Sequence, residues 1–370
     1  MTDFRIFARS MVVTISFVVA AAPFVSRGQL ANAAENQAPA THKVTKFNVP
    51  GAGKSAGQGT VGAGIVDDGS IEGWYIDSGN VYHGYLRAPD GTFTKFDPPG
   101  SQGTFSYGMN SALAITGYYL DSNGARHGFL RSAAGKFTKF DAPGAGKSSG
   151  QGTVPGNINT KGVIAGYFVD SNGVLHGFLR SPGGKYTKFN APGAGKGPGQ
   201  GTGPASFDGL TDAGAIAGQY NDSKSVAHGY LRAPDGTFTT FDPPGSVGTF
   251  VSGLNLKETI MGSYVDSNSL YHGFVRTVDG TITSFDAPNS IATGANNINA
   301  SGTIAGSYVD SNGANHGFSR SPHGAITEFS VPGAGTGSGQ GAVPYSNNST
   351  GAIAGPYVDS NGVNHGFLRQ

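Results

Sequence analysis

The residues with the most chemical potential in this sequence are a histidine and an aspartate that recur together seven times. Each histidine opens a His-Gly-Phe or His-Gly-Tyr tripeptide, and each aspartate lies in a short polar turn before it. Imidazole nitrogens can bind a metal or transfer a proton, and turn carboxylates can bind calcium. The histidines are His83, His127, His176, His228, His272, His316 and His365. The aspartates are Asp77, Asp121, Asp170, Asp222, Asp266, Asp310 and Asp359.

The spacing of these histidines predicts the elements that hold them. Successive histidines are 44, 49, 52, 44, 44 and 49 residues apart, a period that is typical of repeat architectures. In the second repeat, residues 104–110, 113–120, 126–131 and 136–141 are rich in β-branched and aromatic residues and are separated by turn residues. Four short antiparallel strands, labelled A to D, match one blade of a β-propeller.

The two ends of the chain indicate how the repeats close. Residues 43–50 are predicted to be a D strand with no repeat before it, and residues 365–369 a C strand with no D strand after it. Pairing these strands would cover a sheet edge. The sequence therefore predicts an all-β fold, a seven-bladed β-propeller of four-stranded antiparallel blades. It forms one domain over residues 42–370, closed by an N-terminal strand that completes the last blade.

The N-terminal segment has the pattern of a secretory signal peptide. Arg5 and Arg9 precede an apolar stretch over residues 11–25, and Ala31-Asn-Ala33 supplies the small residues of a cleavage site. We expect a signal peptide over residues 1–33, a flexible linker over residues 34–41, and a secreted or periplasmic monomer. An uncleaved anchor is the alternative. The mature chain would carry 21 basic and 22 acidic side chains, which argues against a nucleic-acid partner and a membrane-binding patch.

One longer phrase surrounds every His-Gly-Phe/Tyr tripeptide. In the third repeat it is Gly166-Tyr-Phe-Val-Asp-Ser-Asn-Gly-Val-Leu-His-Gly-Phe-Leu-Arg180, and matching stretches cover nearly all of residues 42–370. This pattern resembles the extracellular HAF-repeat proteins, with Gly in place of Ala inside the tripeptide and Arg in place of the terminal aromatic residue. The resemblance implies secretion and a repeat β-architecture, and it implies no established reaction.

The complete columns of the repeat favour structural roles. Seven histidines around a ring lie too far apart to share a metal, so each is expected to bond a backbone carbonyl or the turn Asp of its own blade. Each turn has one carboxylate before its Gly, which favours turn capping over calcium binding. We expect no metal and no cofactor. A column of arginines is predicted to make ladder or inter-blade contacts with Asp or carbonyl groups, with a ring lining an anion site as the alternative: Arg87, Arg131, Arg180, Arg232, Arg276, Arg320 and Arg369.

Features that differ between repeats are better candidates for function. The D-to-A connection is long at residues 51–59, 144–152, 193–201 and 333–341, before repeats 1, 3, 4 and 7. We expect these loops to share one rim with the turns between strands B and C, where propellers usually bind ligands. Their Gly-Lys-Ser phrases lack the earlier Gly of a phosphate loop. The candidate ligand contacts in the loops are Lys54, Lys147 and Lys196.

A second asymmetric column follows the Gly of strand B. It holds Trp74, Tyr118 and Tyr167 in the first three repeats. An aromatic platform for a sugar or a peptide is the functional interpretation, and packing variation is the structural one. The other four repeats have Gln219, Ser263, Ser307 and Pro356 in this column.

Three hypotheses for the function follow. The first is a secreted, non-enzymatic binding or surface-interaction propeller whose ligand is a glycan or an exported protein. The second is a secreted lyase or glycan hydrolase that acts at the central channel, with Asp67, Asp68 and Asp208 as acid/base candidates. Asp67 and Asp208 are expected in A-strand regions that face the channel. The third is a purely structural extracellular repeat protein.

Overall fold

The computed structural model describes residues 42–204 and 209–370. The predicted signal peptide and linker therefore lie outside the described residues. The described part of the chain is built of β-strands and turns and contains no helix. It accordingly has no helix that is long and apolar enough to span a membrane.

The strands follow the sequence repeats. The first strand of the described residues is β1 (Val44–Phe47), and repeat 1 contains β2 (Gly59–Ile65), β3 (Ile71–Ile76), β4 (Tyr82–Arg87) and β5 (Phe93–Phe96). Repeat 2 contains β6 (Gly103–Met109), β7 (Ile115–Leu120), β8 (Arg126–Arg131) and β9 (Phe137–Phe140). Repeat 3 contains β10 (Gly152–Ile158), β11 (Ile164–Val169), β12 (Leu175–Arg180) and β13 (Tyr186–Phe189). Repeat 4 contains β14 (Gly201–Pro204), β15 (Ile216–Asn221), β16 (Ala227–Arg232) and β17 (Phe238–Phe241).

Repeats 5 and 6 have the same strand order, whereas strand A of repeat 7 is split into two short strands that both pair with its strand B. Repeat 5 contains β18 (Ser246–Leu254), β19 (Ile260–Asp266), β20 (Tyr271–Arg276) and β21 (Ile282–Phe285). Repeat 6 contains β22 (Ala292–Ile298), β23 (Ile304–Val309), β24 (Asn315–Arg320) and β25 (Ile326–Phe329). Repeat 7 contains β26 (Gly341–Ala342), β27 (Ser346–Asn347), β28 (Ile353–Val358) and β29 (Asn364–Arg369).

Each repeat folds into a four-stranded antiparallel blade. In repeat 2, for example, β6 pairs with β7, β7 with β8 and β8 with β9. Repeat 7 takes its outer strand from the start of the chain: β1 pairs antiparallel with β29, with Val44 opposite Arg369 and Phe47 opposite Gly366. All-β blades of this kind are the building units of β-propellers.

A phenylalanine at the end of each D strand joins one repeat to the next. A Cβ atom on Gly84 would lie 2.3 Å from the Phe96 ring, so the ring occupies the space above the Gly of His-Gly-Tyr. The guanidinium of Arg131, in the next repeat, lies 5.0 Å from the centre of the same ring. The stacked guanidinium and the buried ring stabilise the contact between repeats. All seven arginines of the column lie over such a ring, which agrees with the predicted inter-blade contact.

Asparagines at the A-to-B turns link the repeats at the opposite face. Asn159 Oδ1 accepts hydrogen bonds from Lys161 N and Val163 N, which closes its own turn. Asn159 Nδ2 donates to Thr211 O in the next repeat at 3.2 Å. The same donation to the following repeat is made by Asn110, Asn255, Asn299 and Asn348. The sequence analysis did not identify this column, although Asn recurs before the A-to-B turn in five repeats.

Candidate functional site

Each histidine lies between the Asp of the preceding turn, at Nε2, and a polar residue after strand D, at Nδ1, which is Asp in four repeats and Asn or Ser in the other three. His83 Nδ1 lies 2.8 Å from Asp97 Oδ2, and its Nε2 lies 3.5 Å from Asp77 Oδ2 in the preceding turn. The imidazole stacks on Tyr75 with ring centres 4.9 Å apart. The turn Asp lies within 4.0 Å of Nε2 in every repeat. These contacts tie strands B and C and the turn between them into one unit.

The turn aspartates serve as caps. Asp77 Oδ1 accepts hydrogen bonds from Gly79 N and Val81 N at 2.8 and 2.9 Å. The bond from Val81 is the main cause that holds the pKa of Asp77 below its usual value, and the bonds from Gly79 and His83 act in the same direction. Within residues 42–204 and 209–370, no three His, Cys, Asp or Glu side chains are grouped to hold a metal ion.

The long connections lie on the same rim as these turns, as predicted. In the loop before repeat 1, Gly57 N donates to Gly362 O in the turn of repeat 7 at 2.8 Å. Gln58 Nε2 donates to Ser78 O in the turn of repeat 1 at 3.2 Å. Each long loop therefore bridges the turn of the preceding repeat and the turn of its own. The other three loops make the equivalent bonds to both turns.

The residue type at the fourth position of each B-to-C turn depends on whether the connection that follows is long. A Cβ on Gly362 would lie 3.1 Å from Ala56 in the loop, and the backbone there has a φ of 79°. Glycine is suited to both the close approach and the positive φ. Turns followed by a long loop have Gly124, Gly173, Gly313 or Gly362 at this position. Turns followed by a short connection have Asn80, Ser225 or Ser269, also with positive φ.

A groove lies open between repeats 1 and 2, where the connection is short. The groove between repeats 1 and 2 has a volume of about 290 Å³ and lies between the B-to-C turn and the Asp97–Gly103 connection. Residues of both repeats line it: Val81, Tyr82, His83, Asp97, Pro98, Pro99, Gly100, Ser101 and Gly103. In the junctions with a long loop, the loop itself passes over the corresponding start of strand C.

The groove combines an apolar surface with accessible polar groups. Val81 is 38% exposed, and half-buried Tyr82 packs against Phe105 in a tilted arrangement with ring centres 4.6 Å apart. The Asp97 side chain is accessible while bonded to His83, and Ser101 lies in the same connection. Burial raises the pKa of Tyr82, so its hydroxyl is a neutral donor at physiological pH.

The predicted aromatic platform is not exposed in the structure. Trp74 is 3% exposed, and Tyr118 and Tyr167 are also buried in the same apolar cluster. Trp74 packs against Phe105 and Tyr107 of the next repeat, so this side of strand B is covered. Phe105 connects this cluster to the groove, because it stacks on Tyr118 and packs against Tyr82. The buried aromatic cluster therefore lies behind the groove and supports its wall.

The other predicted site residues are distributed over the surface. Lys54, Lys147 and Lys196 are exposed on the long loops, away from the groove lining. The prediction that Asp67 lies in strand A was wrong: β2 ends at Ile65, because a turn closed by Val66 N and Ser70 O follows.

The acid/base candidates have backbone partners. Asp67 Oδ1 accepts a hydrogen bond from Ser349 N at 2.9 Å, and Asp68 Oδ1 accepts one from Ser70 N at 2.7 Å. Both acids are exposed at the face opposite the groove. Asp208 lies outside the described residues. Asp67 and Asp68 therefore both accept hydrogen bonds from the backbone of turns.

Apart from His83, the residues that line the groove could not be recognised from the sequence pattern. Tyr82 and Asp97 belong to ordinary repeat positions and carry no unusual motif. The usable signal was the combination of a short D-to-A connection with a non-glycine residue at the end of the preceding turn. That combination occurs at the junctions of repeats 1–2, 4–5 and 5–6.

Comparisons with known proteins give a likeness of fold. No family model and no curated protein matches the chain. The chain is similar to the BP39L lectin from Burkholderia pseudomallei, with a TM-score of 0.56 and 13% identity over 83% of this chain and 94% of the lectin. It is also similar to a prolyl endopeptidase, with a TM-score of 0.54 and 10% identity over 81% of this chain and 47% of the peptidase. The Aleuria aurantia lectin, a six-bladed β-propeller, has a TM-score of 0.42 and 12% identity over 73% of this chain and 93% of the lectin, which is too low to carry an argument.

Proposed function

We propose that this chain is a secreted, non-enzymatic carbohydrate-binding β-propeller. Its glycan would bind in the groove between repeats 1 and 2. The observation that carries the proposal is this groove, which opens on the rim because the connection between the two repeats is short. The likeness to solved structures supports only the scaffold, because the identities are low.

The chemistry of the groove suits a sugar ring. A pyranose has an apolar face of C–H groups and an edge of hydroxyls. Val81 and the Tyr82 ring offer the apolar surface, which favours stacking against such a face. The carboxylate of Asp97 is bonded to His83 through Oδ2 and accepts from Thr104 Oγ1 through Oδ1, and the remaining lone pairs of both oxygens can accept sugar hydroxyls. A few convergent polar groups on an apolar lining are typical of small-ligand sites.

We also propose that seven blades form a ring closed by β1. Three contacts between the two ends of the chain support this closure. Arg87 lies 5.1 Å from the centre of the Phe47 ring, as the other arginines do between adjacent repeats. Asn348 Nδ2 donates to Val66 O at 3.1 Å, and β2 pairs in parallel with β29. Analytical ultracentrifugation should give a compact monomer, and deletion of residues 43–48 should abolish cooperative unfolding.

Export and membership of the HAF-repeat group stay proposals that rest on the sequence. The signal-like residues 1–33 support a secreted or periplasmic location. Sequencing the N-terminus of the protein from the extracellular or periplasmic fraction tests this directly. A mature start at residue 34 is expected, and a start at Met1 would contradict it.

A glycan array with the mature protein tests the binding proposal. Asp97→Asn should weaken binding of the glycan with the highest signal by about 10- to 100-fold, because it removes a charged acceptor. The matched control is Asp141→Asn, since Asp141 bonds His127 in the same way at a junction covered by a long loop. Asn stands at this position in repeat 3 as Asn190, also bonded to its histidine, so both variants should fold.

The outcomes of this comparison separate the hypotheses. Loss of binding in Asp97→Asn alone supports the groove. Equal loss in both variants, or in neither, contradicts a site at this junction. Release of shortened glycan by the unaltered protein would instead favour the lyase or hydrolase hypothesis.

A further inference from the structure

One position distinguishes open junctions from covered ones. It is the residue directly after the B-to-C turn, which is apolar in all seven repeats. Where a long loop follows, this residue is buried: Ala125, Val174, Ala314 and Val363. Where the connection is short, Val81 is 38% exposed and Leu270 is 43% exposed. At open junctions the chain therefore leaves an apolar residue on the rim that it covers elsewhere with its own loop.

The junction of repeats 5 and 6 has the same kinds of residue as the groove between repeats 1 and 2. Leu270 and Tyr271 stand where Val81 and Tyr82 stand, and Tyr271 stacks on Phe250 with ring centres 6.1 Å apart. His272 Nδ1 lies 3.0 Å from Asp286 Oδ2, as in the pair His83–Asp97. The Asp286 side chain is about half exposed. The same apolar, aromatic and acidic groups thus meet at a second point of the rim.

The third open junction differs in one decisive residue. Between repeats 4 and 5, Ala227 stands in place of the tyrosine. His228 and Asp242 keep the same contact at 2.7 Å. This junction has the acid and lacks the ring, so it has no aromatic surface for a sugar face.

We propose that the rim carries two glycan sites of one kind, at the junctions of repeats 1–2 and 5–6. The inference rests on the proposed function and adds a second site that makes the protein bivalent. Both sites open on the rim that holds the B-to-C turns, so they can bind the same glycan-bearing surface at once. Simultaneous binding raises the apparent affinity by about 100-fold or more over one site.

Glycan arrays printed at low and high density test the second site. The intact protein should gain about 100-fold in apparent affinity from low to high density. Leu270→Lys places a charged chain in the second groove and should remove most of this gain while leaving low-density binding within about twofold. The matched control is Val278→Lys, which changes an exposed apolar residue of the same repeat in the turn between β20 and β21, outside the groove.

Asp286→Asn serves as a second variant, because Asn48 and Asn190 show that Asn fits this position. Thermal melting checks that each variant is folded. A gain with density that survives both Leu270→Lys and Asp286→Asn overturns the second site, as does density-independent binding by the intact protein. Absence of binding to every glycan at both densities refutes the proposed function itself.

Discussion

Glu72 gives the sharpest stability prediction, because it is a buried acid in a position that is apolar or Thr in every other repeat. The other residues in this column are Thr116, Ala165, Ala217, Met261, Ala305 and Ala354. Neither Glu72 oxygen has a hydrogen-bond partner among the described residues. The nearby Ser106 hydroxyl donates to Gly73 O at 2.7 Å. Burial raises the pKa of Glu72 to about 8. The nearby Ser106 side chain acts in the opposite direction and lowers this pKa by a smaller amount.

This pKa sets the direction of the pH dependence. The folded-state pKa lies above the unfolded value of 4.5, so the folded state binds the proton more tightly. The contribution of protonated Glu72 is fully present below pH 4.5 and is lost as the pH rises through about 8. A pKa change from 4.5 to about 8 corresponds to at most about 5 kcal/mol of unfolding free energy. That is a large share of the roughly 5–15 kcal/mol that stabilises a typical protein.

Glu72→Gln removes the ionisable group and keeps the shape. Urea unfolding, followed by the fluorescence of the single tryptophan, Trp74, should give similar stabilities for both proteins near pH 5. Near pH 9 the Gln variant should be more stable by several kcal/mol, up to about 5. Other titrating groups are the same in both proteins and cancel in the difference.

The exposed Glu328→Gln variant is the control and should show no such divergence. A stability difference between the intact protein and Glu72→Gln that stays constant from pH 5 to pH 9 would refute the reasoning.

Two further predictions concern the glycines of the repeat. Gly84→Ala should lower the unfolding free energy by about 1–3 kcal/mol, because its Cβ would meet the Phe96 ring, and chemical denaturation measures this loss. Gly362→Asn should cost about the same, since its Cβ would meet the long loop before repeat 1. The reverse exchange, Asn80→Gly, should cost about 1 kcal/mol or less, because it removes the hydrogen bond from Gln58 Nε2 to Asn80 Oδ1, while the connection that follows this turn is short. Equal losses for the two exchanges would show that the loop does not explain the choice of glycine.

The blades could be predicted from the sequence because their causes are local. Strands β8 (Arg126–Arg131) and β9 (Phe137–Phe140) fall within a residue of their predicted bounds, where turn residues end the β-rich segments. Strand β7 starts at Ile115, two residues later than predicted, because Leu113 has a φ of 57° and belongs to the turn. The strand order also predicts the shared rim, because the D-to-A and B-to-C connections of a four-stranded antiparallel blade lie at the same end of its strands.

The binding-site residues could not be predicted in the same way. Trp74 has the composition expected of a sugar-binding surface, yet it is buried because a second blade packs on its side of the sheet. Asp67 was assigned to a strand because the end of β2 depends on the turn that follows. In both cases, exposure is decided by parts of the chain that a local pattern does not contain.

By itself, the sequence determined the repeat, the four strands of each blade and the capped turn, since hydrophobic alternation and turn chemistry act over a few residues. Only the tertiary structure decided which junctions are open. Val81 and Val174 follow similar turns and precede the same histidine motif. Val174 is buried and Val81 is exposed, because a loop entering the next repeat covers one and not the other. The groove exists through that contact between repeats, and its chemistry is set by which side chains the missing loop leaves uncovered.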